Sequence, residues 1–190
     1  MPRKPGYNRE DLIRRARDLF WAQGWAGTSM KDLEHGLKMK PGSFYAAFGS
    51  KDALFELALE RYAKDGLARV TTLAKAHGPL GALQRFPHNV IENDDYPAKA
   101  CMLSKTLLEL QARAHPLAEA ASNYLSHMET AFAALFVQAQ AQGLIDASHD
   151  PAVLARRYQS DLLGLRMSAE RPGLYASAIA DEIAAGLKRL

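Results

Sequence analysis

The sequence is poor in cysteine and has no long hydrophobic run. Its 190 residues include one cysteine, Cys101, which excludes an intrachain disulfide and a cysteine-based zinc site. The longest uninterrupted apolar run extends from Ala131 to Val137, far short of the roughly 18 to 20 residues that a membrane span needs. The basic first residues lead into charged residues, so no secretory signal is expected. We therefore expect a cytoplasmic protein with no membrane partner.

Glycine and proline are also scarce, with 13 and 9 residues, and hydrophobic residues make up 48% of the chain. This composition excludes a low-complexity or disordered chain. Apolar residues recur every three or four positions, and no stretch alternates with the period of a strand, which predicts an all-α protein of about nine helices. No metal-ligand spacing, nucleophile motif, phosphate-binding loop or dinucleotide fingerprint occurs, so neither an enzyme nor a cofactor is expected.

Positive charge is concentrated at the start of the chain. The first 51 residues hold ten Lys or Arg and five Asp or Glu, whereas the rest hold fourteen and sixteen. This asymmetry favours contact between the N-terminal segment and a polyanion, although a solvated basic face would have the same charge.

Three short helices are predicted in the first fifty residues. Asn8 is a cap candidate for the first helix, which closes between Gly24 and Gly27, and Thr28 is the cap candidate for the second. Pro41 suits the first turn of a third helix, Pro41–Phe48, after a turn of about four residues. These lengths match a helix-turn-helix.

The rest of the chain is predicted to form longer helices. A helix from Lys51 to about His77 connects residues 1–50 to a second domain, residues 51–190. Prolines then divide the chain into helix-sized segments, several of them in helix-start positions, and further helices are predicted over 116–143, 151–169 and 173–190.

Two motifs carry a more specific signal. T-S-M-K-D-L, followed by M-K-P-G-S-F-Y-A-A-F-G-S-K-D-A-L-F from Met39 to Phe55, resembles the N-terminal signature of the TetR family of transcriptional repressors. The resemblance covers roughly residues 9–62. It implies a homodimer with an N-terminal DNA-binding bundle, a palindromic double-stranded operator, and a C-terminal domain that dimerises and often binds a small effector.

The resemblance implies roles for seven N-terminal residues. Thr28, Tyr45 and Lys51 match positions that often contact backbone phosphates, and Gly42 matches a glycine that allows close approach to DNA. Exposed side chains of the third helix would read base edges. The implied DNA-binding set is Thr28, Lys40, Pro41, Gly42, Ser43, Tyr45 and Lys51.

The chain departs from the family pattern in the turn before the third helix. Family members usually have glycine where this chain has Lys38. A left-handed conformation costs lysine more than glycine, so either the turn differs in shape or Gly36 supplies the permissive residue.

The C-terminal domain yields broader expectations. The last two helices are expected to form the dimer interface through Leu154, Tyr158, Leu162, Leu165, Ile179, Ile183 and Leu187. An apolar effector pocket among the middle helices would be lined by Phe86, Met102, Tyr124, Met128, Phe132 and Tyr158. At helical spacing, the residues of both sets are equally consistent with an ordinary core.

Two alternatives stay open. A helical adaptor could use the same N-terminal bundle for protein contact, in which case binding would hardly respond to salt. Cys101 lies in a stretch similar to that of electrophile- or oxidant-responsive TetR regulators, and Lys99 and Lys105 would favour its thiolate if the sulfur were partly exposed.

Overall fold

The computed structural model describes residues 8–92 and 95–190, and these form eight helices with no strand. They are α1 (Arg9–Gly27), α2 (Met30–Leu37), α3 (Pro41–Phe48), α4 (Lys51–Ile91), α5 (Met102–Gln111), α6 (Pro116–Ala141), α7 (Pro151–Ser168) and α8 (Ala176–Leu187). The all-α prediction is confirmed. None of the described helices combines the length and apolar character needed to cross a membrane.

Side-chain caps fix where the N-terminal helices begin. The Asn8 side chain accepts a hydrogen bond from the Glu10 N–H at the start of α1, and Ser50 caps α4 through the Ala53 N–H. The cap predicted at Thr28 is wrong by one residue, because Ser29 caps α2 in a reciprocal capping box with Asp32.

Helix α4 is longer than the sequence predicted. It continues past His77 to Ile91, and a kink at Gly78, where φ is 72°, divides it into two segments. Pro79 begins the second segment, where a missing N–H costs little. Pro87 lies inside the helix and is buried, so the prediction that the prolines divide the chain into helix-sized segments is wrong at this position.

Two hydrophobic clusters stabilise the chain. The first cluster contains α1, α2, α3, the start of α4, α5 and the beginning of α6, with Phe20, Phe44 and Phe55 buried in it. The second contains the later part of α4 with α6, α7 and α8, around Phe132 and Phe136. Because α4 contributes to both, it connects the N-terminal bundle to the rest of the chain.

Candidate functional site

Helix α3 has one buried and one exposed face. Phe44 and Phe48 lie in the first core cluster and form the buried face of the helix. The opposite face and the N-terminal end expose Lys40, Pro41, Gly42, Ser43, Tyr45 and Ala46, and Tyr45 is 53% exposed. Most of the DNA-binding residues implied by the resemblance are therefore together on one solvent-facing surface.

Lys38 itself forms the left-handed turn between α2 and α3. Its φ of 54° and ψ of 43° place it in the left-handed region, and its N–H bonds back to carbonyl oxygens of α2. The alternative that Gly36 supplies the permissive residue is wrong, because Gly36 lies within α2. The side chain of Lys38 is exposed beside α3.

Thr28 and Lys51 bind each other inside the N-terminal bundle. Thr28 is fully buried, at 0% exposure, and its hydroxyl donates to the Gly24 carbonyl at 2.7 Å. The Lys51 ammonium donates to the carbonyl oxygens of Trp25 at 2.8 Å and Thr28 at 3.0 Å, and it lies 4.1 Å from the centroid of the Trp25 ring. Both residues therefore fasten the start of α4 to the end of α1.

Sequence reasoning did not include two basic residues of the same region. Lys31 on α2 and Lys38 in the turn are both exposed. Asp32, on the same helix, accepts hydrogen bonds from the Ser29 hydroxyl and N–H, and these bonds hold the pKa of its carboxyl below the ordinary value. The Asp32 charge is thus used within the cap, and the signal that would have identified Lys31 is its exposed position on a short amphipathic helix.

One cavity of about 60 Å³ lies between α4, α5, α6 and α7. Of the six predicted effector-pocket residues, Phe86, Met128 and Phe132 line it. Met102, Tyr124 and Tyr158 do not. The Tyr158 hydroxyl instead donates to the Leu83 carbonyl at 2.6 Å in the second core cluster.

The cavity also contains polar residues that the sequence did not single out. Tyr62, Arg69, Gln159 and Arg166 all line it. The helical spacing places Gln159 and Arg166 on the apolar face of α7, together with Leu162. This position could have indicated that both polar side chains are buried. It could not have indicated which residues of other helices they contact.

The residues predicted for the dimer interface are largely covered within the chain. Tyr158, Leu162, Leu165 and Leu187 are buried in the second core cluster. Leu154, Ile179 and Ile183 are half-buried and border an open groove between α7 and α8.

Cys101 lies at the N-terminal end of α5 and is 7% exposed. Its side chain lines the cavity, where Tyr62 and Arg166 interact with it. Lys105 does not serve the thiol as the sequence suggested, because its ammonium donates to the Trp21 carbonyl on α1 at 2.7 Å.

Comparison with known proteins places these features in a family context. Residues 12–58 match the family model for bacterial regulatory proteins of the tetR family. The chain is 28% identical over 174 residues, 90% of each protein, to the uncharacterized HTH-type transcriptional regulator YezE of Bacillus subtilis (strain 168). It is 25% identical over 168 residues to the HTH-type transcriptional repressor ComR of Escherichia coli (strain K12), covering 86% of this chain and 80% of that protein.

Solved structures share the fold over nearly the whole chain. A cysteine mutant of the TetR family transcriptional regulator CifR, complexed with 26-bp double-strand operator DNA, has a TM-score of 0.82 at 25% identity over 98% of both chains. A TetR family regulator from Agrobacterium tumefaciens has a TM-score of 0.82 at 19% identity over 96% of both chains. The similarity therefore extends beyond the N-terminal motif to the helical C-terminal region.

Proposed function

The chain carries the N-terminal domain of the TetR family of bacterial regulators, and we propose that it is a repressor that binds a palindromic DNA operator as a homodimer. Residues 1–50 contact the DNA, the helix that begins at Lys51 transmits movement, and residues 51–190 dimerise and hold a small effector. The protein acts in the cytoplasm, where the operator is, and it regulates transcription instead of catalysing a reaction.

The exposed surface of α3 carries this proposal. A helix whose buried face is fixed by Phe44 and Phe48 can present its other face to the major groove. Lys40 and Ser43 are exposed at its N-terminal end and can hydrogen-bond base edges. Gly42 and Pro41 have small side chains or none, so this end of the helix can approach the DNA closely.

Phosphate contacts position this helix. The exposed Tyr45 hydroxyl can donate to a backbone phosphate. Lys51 uses two of its three N–H donors within the bundle, which leaves one for a phosphate at the start of α4. The buried Thr28 hydroxyl supports this contact from behind, by holding the end of α1 in place.

The exposed face of α7 supports the homodimer. Val153 and Met167 are exposed apolar residues on this face, and Ser160 and Gly164 lie between them on the same side of the helix. Small residues allow two symmetry-related helices to approach closely. Leu154, Ile179 and Ile183 border the adjoining groove, so a second copy of this chain would cover them as well.

A single substitution tests the dimer without disturbing the protomer. A side chain added at Gly164 meets nothing within 4 Å in the described structure. Gly164→Leu is therefore expected to leave the helical content unchanged and to yield monomers by light scattering. Ala134→Leu, an equal addition at an exposed position of α6, is the control. Equal masses for both variants would contradict the α7 interface.

DNA binding is tested by selecting bound sequences from a random DNA pool. The affinity for the most enriched sequence is then measured by titration at several salt concentrations. We expect a palindromic sequence, since a two-fold dimer places two α3 helices in successive major grooves. Affinity should fall steeply with salt because phosphate contacts release counterions. Failure to enrich any sequence, or an affinity that does not change with salt concentration, would support the adaptor alternative.

Single substitutions then distinguish residues that contact backbone phosphates from residues that recognise bases. Tyr45→Phe should weaken binding to every sequence alike and leave the slope of log affinity against log salt unchanged, because a neutral hydroxyl displaces no counterion. Lys40→Ala and Ser43→Ala should change which operator is preferred. Lys75→Ala removes an exposed lysine of α4 outside the N-terminal bundle and is the control for net charge.

A further inference from the structure

Four buried polar atoms have no hydrogen-bond partner of good geometry among the described residues, and the residues that carry them line the same cavity. The atoms are Tyr62 Oη, Arg69 Nε, Gln159 Oε1 and Arg166 Nη2. Buried polar groups in proteins are nearly always paired, so each such atom requires an explanation. Four of them around one cavity indicate a site built for a polar group that enters from outside the chain.

Arg166 carries the strongest argument. It is 6% exposed, and its Nε donates to the Lys99 carbonyl at 2.6 Å, which fixes the guanidinium in place. The side chains that interact with it are Tyr62, whose hydroxyl lies within reach of a weak hydrogen bond, Cys101 and Tyr96, and none of these carries a negative charge while protonated. A buried guanidinium without an anion is costly, and water would satisfy its N–H groups without balancing its charge.

The neighbouring groups are suited to the same anion. Burial raises the pKa of the Tyr62 hydroxyl well above its ordinary value, so this group stays protonated and keeps an O–H that can donate to a ligand. Arg69 contributes a second guanidinium nitrogen, and the described ion pairs of this protein do not include it. Three residues that carry donor groups, two of them cationic, therefore line one small space.

Gln159 contributes a hydrogen-bond acceptor to the cavity, in contrast to the donors above. Its Nε2 donates to the Leu125 carbonyl at 3.0 Å, which leaves the buried Oε1 without a described partner. A carbonyl oxygen beside an anion needs a donor from the ligand, such as a hydroxyl group. Most of the remaining wall is apolar and includes Phe86, Val90, Leu125, Met128, Phe132 and Leu162.

We infer that this cavity binds a small organic carboxylate that bears a hydroxyl group and a short apolar chain. The carboxylate pairs with Arg166 and receives hydrogen bonds from Arg69 and Tyr62, while the hydroxyl donates to Gln159. The cavity volume of about 60 Å³ exceeds the 10–15 Å³ or so that one water needs, and it restricts the ligand to a compact acid.

The site is connected to the N-terminal bundle, which would let the acid act as the effector. The Lys99 carbonyl accepts from Arg166, and the adjacent Ala100 carbonyl accepts from Trp21 Nε1 of α1 at 2.6 Å. The Arg166 guanidinium also lies 5.5 Å from the Trp21 ring centroid. This consequence rests on the proposed function, whereas the binding site itself does not.

Binding is measured by calorimetry on the full chain without DNA, so the result does not depend on operator binding. The probes are butanoate, 3-hydroxybutanoate, the uncharged butanamide, and inorganic phosphate. We expect 3-hydroxybutanoate to bind more tightly than butanoate, and butanamide to bind at least about tenfold more weakly than butanoate. Binding of phosphate alone, or equal binding of butanoate and butanamide, would overturn the inference.

Two variants locate the binding without removing the structural role of Arg166. Tyr62→Phe deletes one unpartnered hydroxyl and Arg69→Gln one guanidinium, and each should weaken 3-hydroxybutanoate at least about tenfold. Arg157→Gln, on the exposed side of α7, should leave it unchanged. An unchanged affinity in both cavity variants would refute the site, while operator binding that ignores the bound acid would refute only its regulatory role.

Discussion

The carboxylate of Glu109 on α5 accepts a hydrogen bond from the backbone N–H of Trp25 on α1, with 3.0 Å between Oε2 and the amide nitrogen. Its Oε1 accepts from the Ala26 N–H at 2.7 Å. These N–H groups follow Gly24, whose φ of 79° interrupts α1 and removes their helical partners. Lys105, one turn earlier on α5, binds the Trp21 carbonyl before the interruption. Helix α5 therefore supplies a charge of each sign to one break in α1.

Glu109→Ala should lower the free energy of unfolding by about 1–3 kcal/mol, because it removes two charge-assisted hydrogen bonds to the backbone. Glu109→Gln keeps one acceptor oxygen and should lose less. Urea denaturation measures both, and Gln111→Ala, at an exposed position of the same helix, is the control. A Glu109→Ala variant as stable as the control would show that water replaces the carboxylate.

Lys38→Gly should raise the free energy of unfolding by up to about 1 kcal/mol. Lysine at a φ of 54° pays for a left-handed conformation that glycine adopts freely, although the greater freedom of glycine in the unfolded chain offsets part of the gain. Lys38→Ala loses the same charge without relief of the backbone, so it is the matched control. If the two variants unfold at the same denaturant concentration, the turn is not strained.

Stability should depend on pH through His88, which joins α4 to α8. Its ring nitrogens lie 2.7 Å from Glu92 Oε1 and 2.9 Å from Asp181 Oδ1. The hydrogen bond to Glu92, opposed by partial burial and aided by Asp181, raises the pKa of His88 above its ordinary value. The stabilisation is therefore fully present below the unfolded-state pKa of 6.5 and is lost as pH rises through the folded-state pKa.

Asp181→Asn tests this dependence. It should cost less than about 1 kcal/mol at pH 5.5, since both carboxylates are largely exposed, and nothing measurable at pH 9. Glu182→Gln removes the neighbouring exposed carboxylate and should show no such difference. A cost for Asp181→Asn that is the same at both pH values would exclude protonated His88 as the cause.

Cys101 should react slowly with alkylating reagents in the native protein. Its side chain is buried in the cavity wall, so a reagent, like the proposed acid, must first enter the cavity before it reaches the sulfur. Iodoacetamide is expected to modify it more than about tenfold faster in urea than in buffer, as mass spectrometry would measure. Rapid native alkylation that also releases operator DNA, absent in Cys101→Ser, would instead establish the thiol-sensor alternative.

Local sequence signals determined the helical fold and the candidate DNA-binding surface. These signals act within a few residues of chain, so they can be recognised without a structure. They include the Ser50 cap, Pro41 in a first turn, and the apolar spacing of Phe44 and Phe48. Even the turn at Lys38 was marked by the missing glycine. The sequence did not show whether Ser29 or Thr28 caps α2, because the Thr28 hydroxyl donates to the Gly24 carbonyl only in the folded bundle.

The cavity was decided by tertiary structure alone. Tyr62 and Arg69 belong to α4, Cys101 to the start of α5, and Gln159 and Arg166 to α7. Helical periodicity places each residue on a face of its own helix, but which faces meet depends on how helices about a hundred residues apart pack together. For that reason the sequence predicted an apolar pocket, whereas the structure contains a cavity with a buried guanidinium in its wall.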